Sequence, residues 1–165
     1  MDVLLRNHVT VRGPTQAPVV LLAHGLGCDQ RFWSKLAARL ENRFRLILFD
    51  YVGSGNSQRE AYCPSRYGKL EGYRDDLLEV RRALDLSQIH LVGHSIGSMI
   101  GMLAVLKEPQ HFRTLSMVAP SPRFLNDPAT GYCGGFSESE IEDYLEVMDR
   151  NFIGWATAFA QLAAG

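Results

Sequence analysis

Four unbroken apolar stretches, "APVVLLAHG", "FRLILFD", "IHLVG" and "TLSMVAP", constrain this chain more than any other feature. The first three read as strands buried on both faces rather than one half exposed to water, and "TLSMVAP" as a fourth strand. Helical patterns separate them. "RFWSKLAARLE" predicts a helix with Phe32, Leu36 and Leu40 on one face, and Tyr73, Leu77, Val80 and Leu84 recur at helical spacing between Gly72 and Leu86. "IGSMIGMLAVLKE" predicts an apolar helix with small residues where it must lie close to a sheet, and Pro109 ends it. Apolar strands alternating with helices give an α/β fold, a mostly parallel sheet with helices on both faces joined by right-handed crossovers. "HVTVRG" alternates and predicts one more short strand, which holds His8; His90 is also placed on a strand.

The pattern changes after Pro122. "PRFLNDPATGYCGGF" predicts a loop, and the remainder two helices with no strand between them. Ser137 followed by Glu140 fits a capping box at the first of these helices. The expected organisation is therefore a core over residues 1–121 and the first part of a helical lid over 122–165.

Composition narrows the function classes. Seventeen basic residues nearly balance eighteen acidic ones, and no basic run points to nucleic acid or an anionic membrane. The N-terminal "MDVLLRNHVT" is too short and too polar for a signal peptide, and no stretch approaches the roughly 18 apolar residues of a membrane span. The three cysteines, Cys28, Cys63 and Cys133, lack metal-site or redox-pair spacing and are expected to be free thiols in a cytoplasmic protein with neither metal nor cofactor.

The third apolar strand runs directly into Gly93-His94-Ser95-Ile96-Gly97, a G-x-S-x-G sequence at the junction with the apolar helix. Such a turn exposes a serine hydroxyl, and side chains at 93 or 97 would collide with neighbouring backbone. The helix that begins there aims free N–H groups at a reacting carbonyl. Acyl transfer needs two such donors. Ile96 is the candidate for one, and Leu26, in the His24-Gly25-Leu26-Gly27 turn after an earlier strand, for the other. A base for Ser95 is harder to find. His94 should point away from the hydroxyl, His24 fits a loop-orienting hydrogen bonder, and His111 falls at the opposite end of the sheet. Asp50 is expected to order the "YVGSG" loop, Cys28 to be an inert thiol, and Phe124, Phe136, Phe152, Trp155 and Phe159 to cluster in the lid.

Taken together these segments resemble the α/β-hydrolase superfamily, and within it the group of RsbQ-type stress-response regulators and plant karrikin and strigolactone receptors. "HGLGCDQRFW", "LILFDYVGSGNS", "LVGHSIGSMIGMLA", "APSPRFLNDP" and "NFIGWATAFA" follow that group's order, with Leu26 where phenylalanine is usual. The resemblance implies a Ser-His-Asp triad under a helical lid. It assigns Ser95 as nucleophile and the Leu26 and Ile96 amides as oxyanion hole, and implies a small apolar substrate; Phe124, Phe136, Trp155 and Phe159, which cluster in the lid, are the candidate pocket and lid residues. It assigns neither acid nor base, which in that family follow later strands. The chain accordingly corresponds to about three-fifths of such a protein, stops inside the lid and is expected to be nearly inactive alone.

Two functional readings share this site. One is a hydrolase of small apolar esters or lactones working through an acyl-enzyme at Ser95. The other is a small-molecule-binding signalling module with little turnover, whose partner in an RsbQ-like setting is a phosphatase of the stress pathway.

Overall fold

The computed structural model describes residues 2–164, with side chains as far as Gln161. The chain divides after Pro120 into two compact units. Helix α1 (Val3–Arg6) opens the first, and the rest of that unit runs β1 (Thr10–Arg12), β2 (Val19–Ala23), α2 (Ser34–Leu40), β3 (Arg45–Leu48), α3 (Pro64–Tyr67), α4 (Leu70–Ala83), β4 (Ile89–His94), α5 (Ile96–Lys107) and β5 (Phe112–Val118). The strands lie in the order β1-β3-β2-β4-β5. The β2–β3, β2–β4 and β4–β5 pairs are parallel, and β1 runs antiparallel to β3.

The four apolar stretches are the four parallel strands, and their continuous hydrophobicity has a simple cause. Leu21, Ile47 and Leu91 face α4 and α5 in one core cluster, while Val20, Leu22, Leu46 and Leu48 face α2 in the other. Both faces of the central strands are covered, so neither face is polar. Helix α4 contributes Leu77, Leu78 and Val80 to the larger cluster. Helix α5 lies close to the sheet because its small residues permit it. A methyl group on Gly101 would stand only 3.0 Å from Leu91 Cδ2. Strand β5 forms one edge, with Met117 37% and Val118 45% exposed. No helix among the described residues is long and apolar enough to cross a membrane.

One element joins those expected, and two local expectations are corrected. The N-terminal residues form α1, capped by the Asp2 side chain. His8 is not on a strand: it takes a φ of 43° in the turn between α1 and β1, and β1 starts at Thr10. The α2 segment opens with a 3₁₀ turn, Gln30–Trp33, and this change of pitch rotates Phe32 out of the buried face. Trp33 and Ala37 take that face instead, with Leu36 and Leu40 partly buried beside them.

The second unit is a loop followed by α6 (Glu138–Arg150) and α7 (Phe152–Ala164). The loop is tied by backbone bonds from Asn126 to Phe136 and from Asp127 to Tyr132. Both halves of the Ser137/Glu140 capping box are formed. Tyr144 stands at the centre of an aromatic cluster, with ring centroids 5.5 Å from Trp155, 5.8 Å from Phe159 and 6.3 Å from Phe136, and Phe124 lies 6.4 Å beyond Phe136.

Candidate active site

Ser95 occupies the junction of β4 and α5 with φ 53° and ψ −123°, a backbone conformation that costs a non-glycine residue on the order of 1–3 kcal/mol. The surrounding structure holds it there. Its N–H donates to the Val118 carbonyl at 2.9 Å, and the Ser98 hydroxyl donates to the Gly93 carbonyl at 2.7 Å. The flanking glycines are steric requirements. A Cβ at Gly93 would lie 2.6 Å from the Gly97 carbonyl oxygen and the Ser98 backbone, and one at Gly97 would lie 2.4 Å from the His24 oxygen and 2.5 Å from that of Ala23. Among the described residues the Ser95 hydroxyl has no hydrogen-bond partner, so no histidine is paired with it.

The end of β2 is pressed against this turn. A Cβ at Gly25 would stand 3.2 Å from Ser95 Cβ and 2.8 Å from His94 Nδ1, so only glycine lets the 24–27 loop come this close. Neither the Leu26 nor the Ile96 N–H donates to another group among the described residues. The second is a free amide at the first turn of α5.

His24 fixes the loop. It is buried, its Nδ1–H donates to the Gly25 carbonyl at 2.9 Å, and its Nε2 accepts from the Tyr51 N–H at 3.2 Å. The Gly25 carbonyl belongs to the same peptide unit as the Leu26 N–H, and in a trans peptide the two point in opposite directions. Holding the carbonyl towards His24 therefore turns the Leu26 N–H away from it. Burial pulls the His24 pKa below its ordinary 6.5, more strongly than the Gly25 hydrogen bond, Asp50 and Asp29 raise it. The ring is neutral with both nitrogens engaged, and neither is available to take a proton from Ser95.

The other histidines are placed as poorly for that task. His94 stacks on Phe32 at 4.4 Å and meets Trp33 edge-on, and burial lowers its pKa. His111 ends the turn just before β5 starts, whereas Ser95 follows the end of β4; the two strands are parallel, so they lie at opposite ends of the sheet. His90 sits within β4 and bonds the Thr114 hydroxyl at 2.9 Å.

Asp50 is buried and orders two loops at once. One carboxylate oxygen accepts the Gln30 N–H at 2.8 Å and the other the Asn56 N–H at 2.9 Å. Cys28 is a half-buried free thiol whose pKa is pushed up by burial and by Asp29.

A buried ion network, invisible from sequence, anchors α1 to α4. Asp76 accepts from Arg6 at 2.9 Å, Arg66 at 2.6 Å, Asn7 at 3.2 Å and the Tyr67 hydroxyl at 3.1 Å. The Asn7 amide also donates to the Asp50 carbonyl at 3.0 Å, which joins the network to the loop beside His24. Four donors around one carboxyl suit its ionised, acceptor-only form.

A parallel sheet carrying a strained serine between strand and helix, with free amides beside it, has a counterpart among known proteins. Residues 18–152 match the family described as the alpha/beta hydrolase fold. The chain belongs to that family. It is 38% identical over 146 residues to strigolactone esterase RMS3 of Pisum sativum, covering 88% of this chain and 54% of that protein. It is 35% identical over 159 residues to karrikin insensitive 2 receptor CA of Petunia hybrida, covering 96% and 58% respectively. Among solved structures, a hydrolase from Oleispira antarctica superposes with a TM-score of 0.87 at 42% identity, over 96% of this chain and 57% of that one. The chain thus spans a little over half the length of these relatives.

Proposed function

We propose that this chain carries the nucleophile and oxyanion hole of a serine hydrolase for small apolar esters or lactones. The Ser95 hydroxyl attacks the substrate carbonyl and gives its proton to a base. The oxyanion that forms is held by the Leu26 and Ile96 amides. The intermediate expels the alcohol, which recovers the proton, and leaves an acyl-enzyme at Ser95 that water then hydrolyses. The observation that supports this reading is the close approach of the Gly25 loop to the strained Ser95 turn, with the Leu26 and Ile96 amides and the Ser95 hydroxyl unpaired among the described residues. Esterases among the relatives support it.

The base is proposed to come from outside residues 2–164. Without one, turnover falls on the order of 10⁶-fold, leaving roughly 10³–10⁴ over water from the oxyanion hole and binding. The aromatic cluster of Phe124, Phe136, Trp155 and Phe159 is proposed to cover an apolar substrate. The test is rapid-mixing hydrolysis of p-nitrophenyl acetate by the protein isolated from its native source. A burst of about one p-nitrophenol per active site, absent in Ser95→Ala, is the expected result. Turnover unchanged by Ser95→Ala would defeat the proposal.

Receptors among the relatives, as similar as the esterases, favour a second reading. In it the chain binds a small molecule and reports occupancy to a partner, proposed to be a phosphatase of a stress pathway. Ligand-dependent phosphatase capture that survives Ser95→Ala would select this reading over turnover.

A further inference from the structure

A series of hydrogen bonds runs from the end of α1 to the loop that carries Leu26, and all its donors point the same way. Arg6 Nε–H donates to Asn7 Oδ1 at 2.9 Å, and Asn7 Nδ2–H donates to the Asp50 carbonyl at 3.0 Å. The Tyr51 N–H, which shares a peptide unit with that carbonyl, donates to His24 Nε2 at 3.2 Å. His24 Nδ1–H donates in turn to the Gly25 carbonyl at 2.9 Å, whose peptide unit ends in the Leu26 N–H. We propose that Asn7 is a positioning residue for the oxyanion hole, holding this relay so that the Leu26 amide is both aimed and polarised as a donor.

This role rests on the oxyanion function proposed for Leu26 and extends it back to the turn after α1. Three observations carry it. First, the orientation of the Asn7 amide is fixed. The residue is fully buried, and its second N–H donates to Asp76 Oδ2 at 3.2 Å. A flipped amide would set its oxygen against two acceptors and its nitrogen against the Arg6 donor. Second, Asn7 grips residue 50 from both sides. Its own carbonyl accepts the Asp50 N–H at 2.8 Å while its side chain holds the Asp50 carbonyl. In a trans peptide the N–H points opposite to the C=O, so a carbonyl held towards Asn7 turns the Tyr51 N–H towards His24. Third, the direction of the series cannot reverse. A guanidinium and a backbone N–H only donate, so Asn7 Oδ1 and His24 Nε2 accept, and the His24 proton stays on Nδ1. Each donor polarises the next, which makes the amide at the end of the series a stronger donor than an isolated one.

Nuclear magnetic resonance on the ¹³C,¹⁵N-labelled full chain tests the relay without requiring turnover. Scalar couplings across the Asn7–Asp50 and Tyr51–His24 hydrogen bonds are expected, and the absence of either would overturn the proposal. The His24 ring should show one protonated and one bare nitrogen. In Asn7→Ala these two signals should move towards each other as the tautomers mix, with the Leu26 amide signal displaced. Arg6→Lys, which keeps a cation for Asp76 but has no Nε–H, should move the same signals less. A purely structural Asn7 would lower stability and leave them in place, so unchanged His24 signals in either folded variant would overturn the proposal. The second readout is the rate at which a fluorophosphonate modifies Ser95. At saturating reagent Asn7→Ala should react about tenfold more slowly with the half-saturating concentration unchanged, a part of the roughly hundredfold that loss of a whole oxyanion donor costs. Equal rates would also count against the relay. An unaltered chain that shows both couplings but no reaction at Ser95 would remove the hydrolytic reading and leave the hold of Asn7 on Leu26 in place.

Discussion

In the sheet-bearing unit, Leu21, Leu46, Ile47, Leu77 and Leu91 are fully buried, and the Asp76 carboxyl group is buried with them. The helical unit contributes a single fully buried hydrophobic side chain among the described residues, Trp155 at 2% exposure. Long-range contacts hold the first unit. The Arg6–Asp76 bond spans 70 positions, and the Asp50 and His24 bonds join loops separated by 20 or more. The second unit is held by neighbours in sequence: a capping box three residues wide and an aromatic cluster on two consecutive helices. Substitutions in the first unit should therefore disrupt the whole of it, and substitutions in the second should have local effects.

The largest expected effect is that of Asp76→Ala. It removes the buried carboxylate shared by Arg6, Arg66, Asn7 and Tyr67, leaves Arg6 and Arg66 only the more exposed Glu79, and should cost about 3 kcal/mol in denaturant unfolding of the first unit. Gly97→Ala comes next at about 3 kcal/mol, since its methyl group would meet two backbone oxygens that cannot withdraw without moving β2. Both should lower the stability of every amide in the sheet together, as measured by hydrogen exchange. Ser137→Ala should cost about 1 kcal/mol and raise exchange only in the first turn of α6. An equal loss of protection in β2 or β4 would break the contrast between the units.

Ser95→Gly acts in the opposite direction. Glycine tolerates a φ of 53°, so relief of strain less its added chain entropy should stabilise the first unit by about 1 kcal/mol, while Ser95→Ala keeps the strain. The smallest effect is on pH. The folded His24 has a pKa below the ordinary 6.5, so as pH drops the unfolded chain takes up a proton before the folded one does. Its contribution is complete above pH 6.5 and is lost as pH falls from there towards the folded value. His24→Asn should remove that part of the slope in an unfolding-against-pH series.

The same division explains what was legible in the sequence. Strands β2 and β3 announce themselves because burial on both faces leaves their runs apolar, whereas the edge strand β5 is mostly exposed and carries Arg113, Thr114 and Ser116. The need for glycine at 93 and the Ser137 cap are equally local, each decided within about five positions, whereas glycine at 97 is required by the Ala23 and His24 carbonyls at the end of β2. The partner of Arg6, Asp76, lies far along the chain where no local pattern shows it, while His8 and Phe32 leave their expected places because of the turn before β1 and the 3₁₀ turn before α2. Tyr51 opens the "YVGSG" loop in the sequence, and only the folded chain shows its amide bonded to His24. Tyr144 lies in a helix rich in acidic residues, and it becomes central only when α7 packs its aromatic residues around it.

The central claim is that the strained turn presents Ser95 as a nucleophile, and modification mapping tests it most directly. The native-source protein is treated with a fluorophosphonate and digested with trypsin, and the fragment running from Ala83 to Lys107 is sequenced by mass spectrometry. The account predicts one adduct, on Ser95, and none on Ser87 or Ser98. An adduct on another serine, or an unmodified fragment from protein that hydrolyses esters, would contradict it.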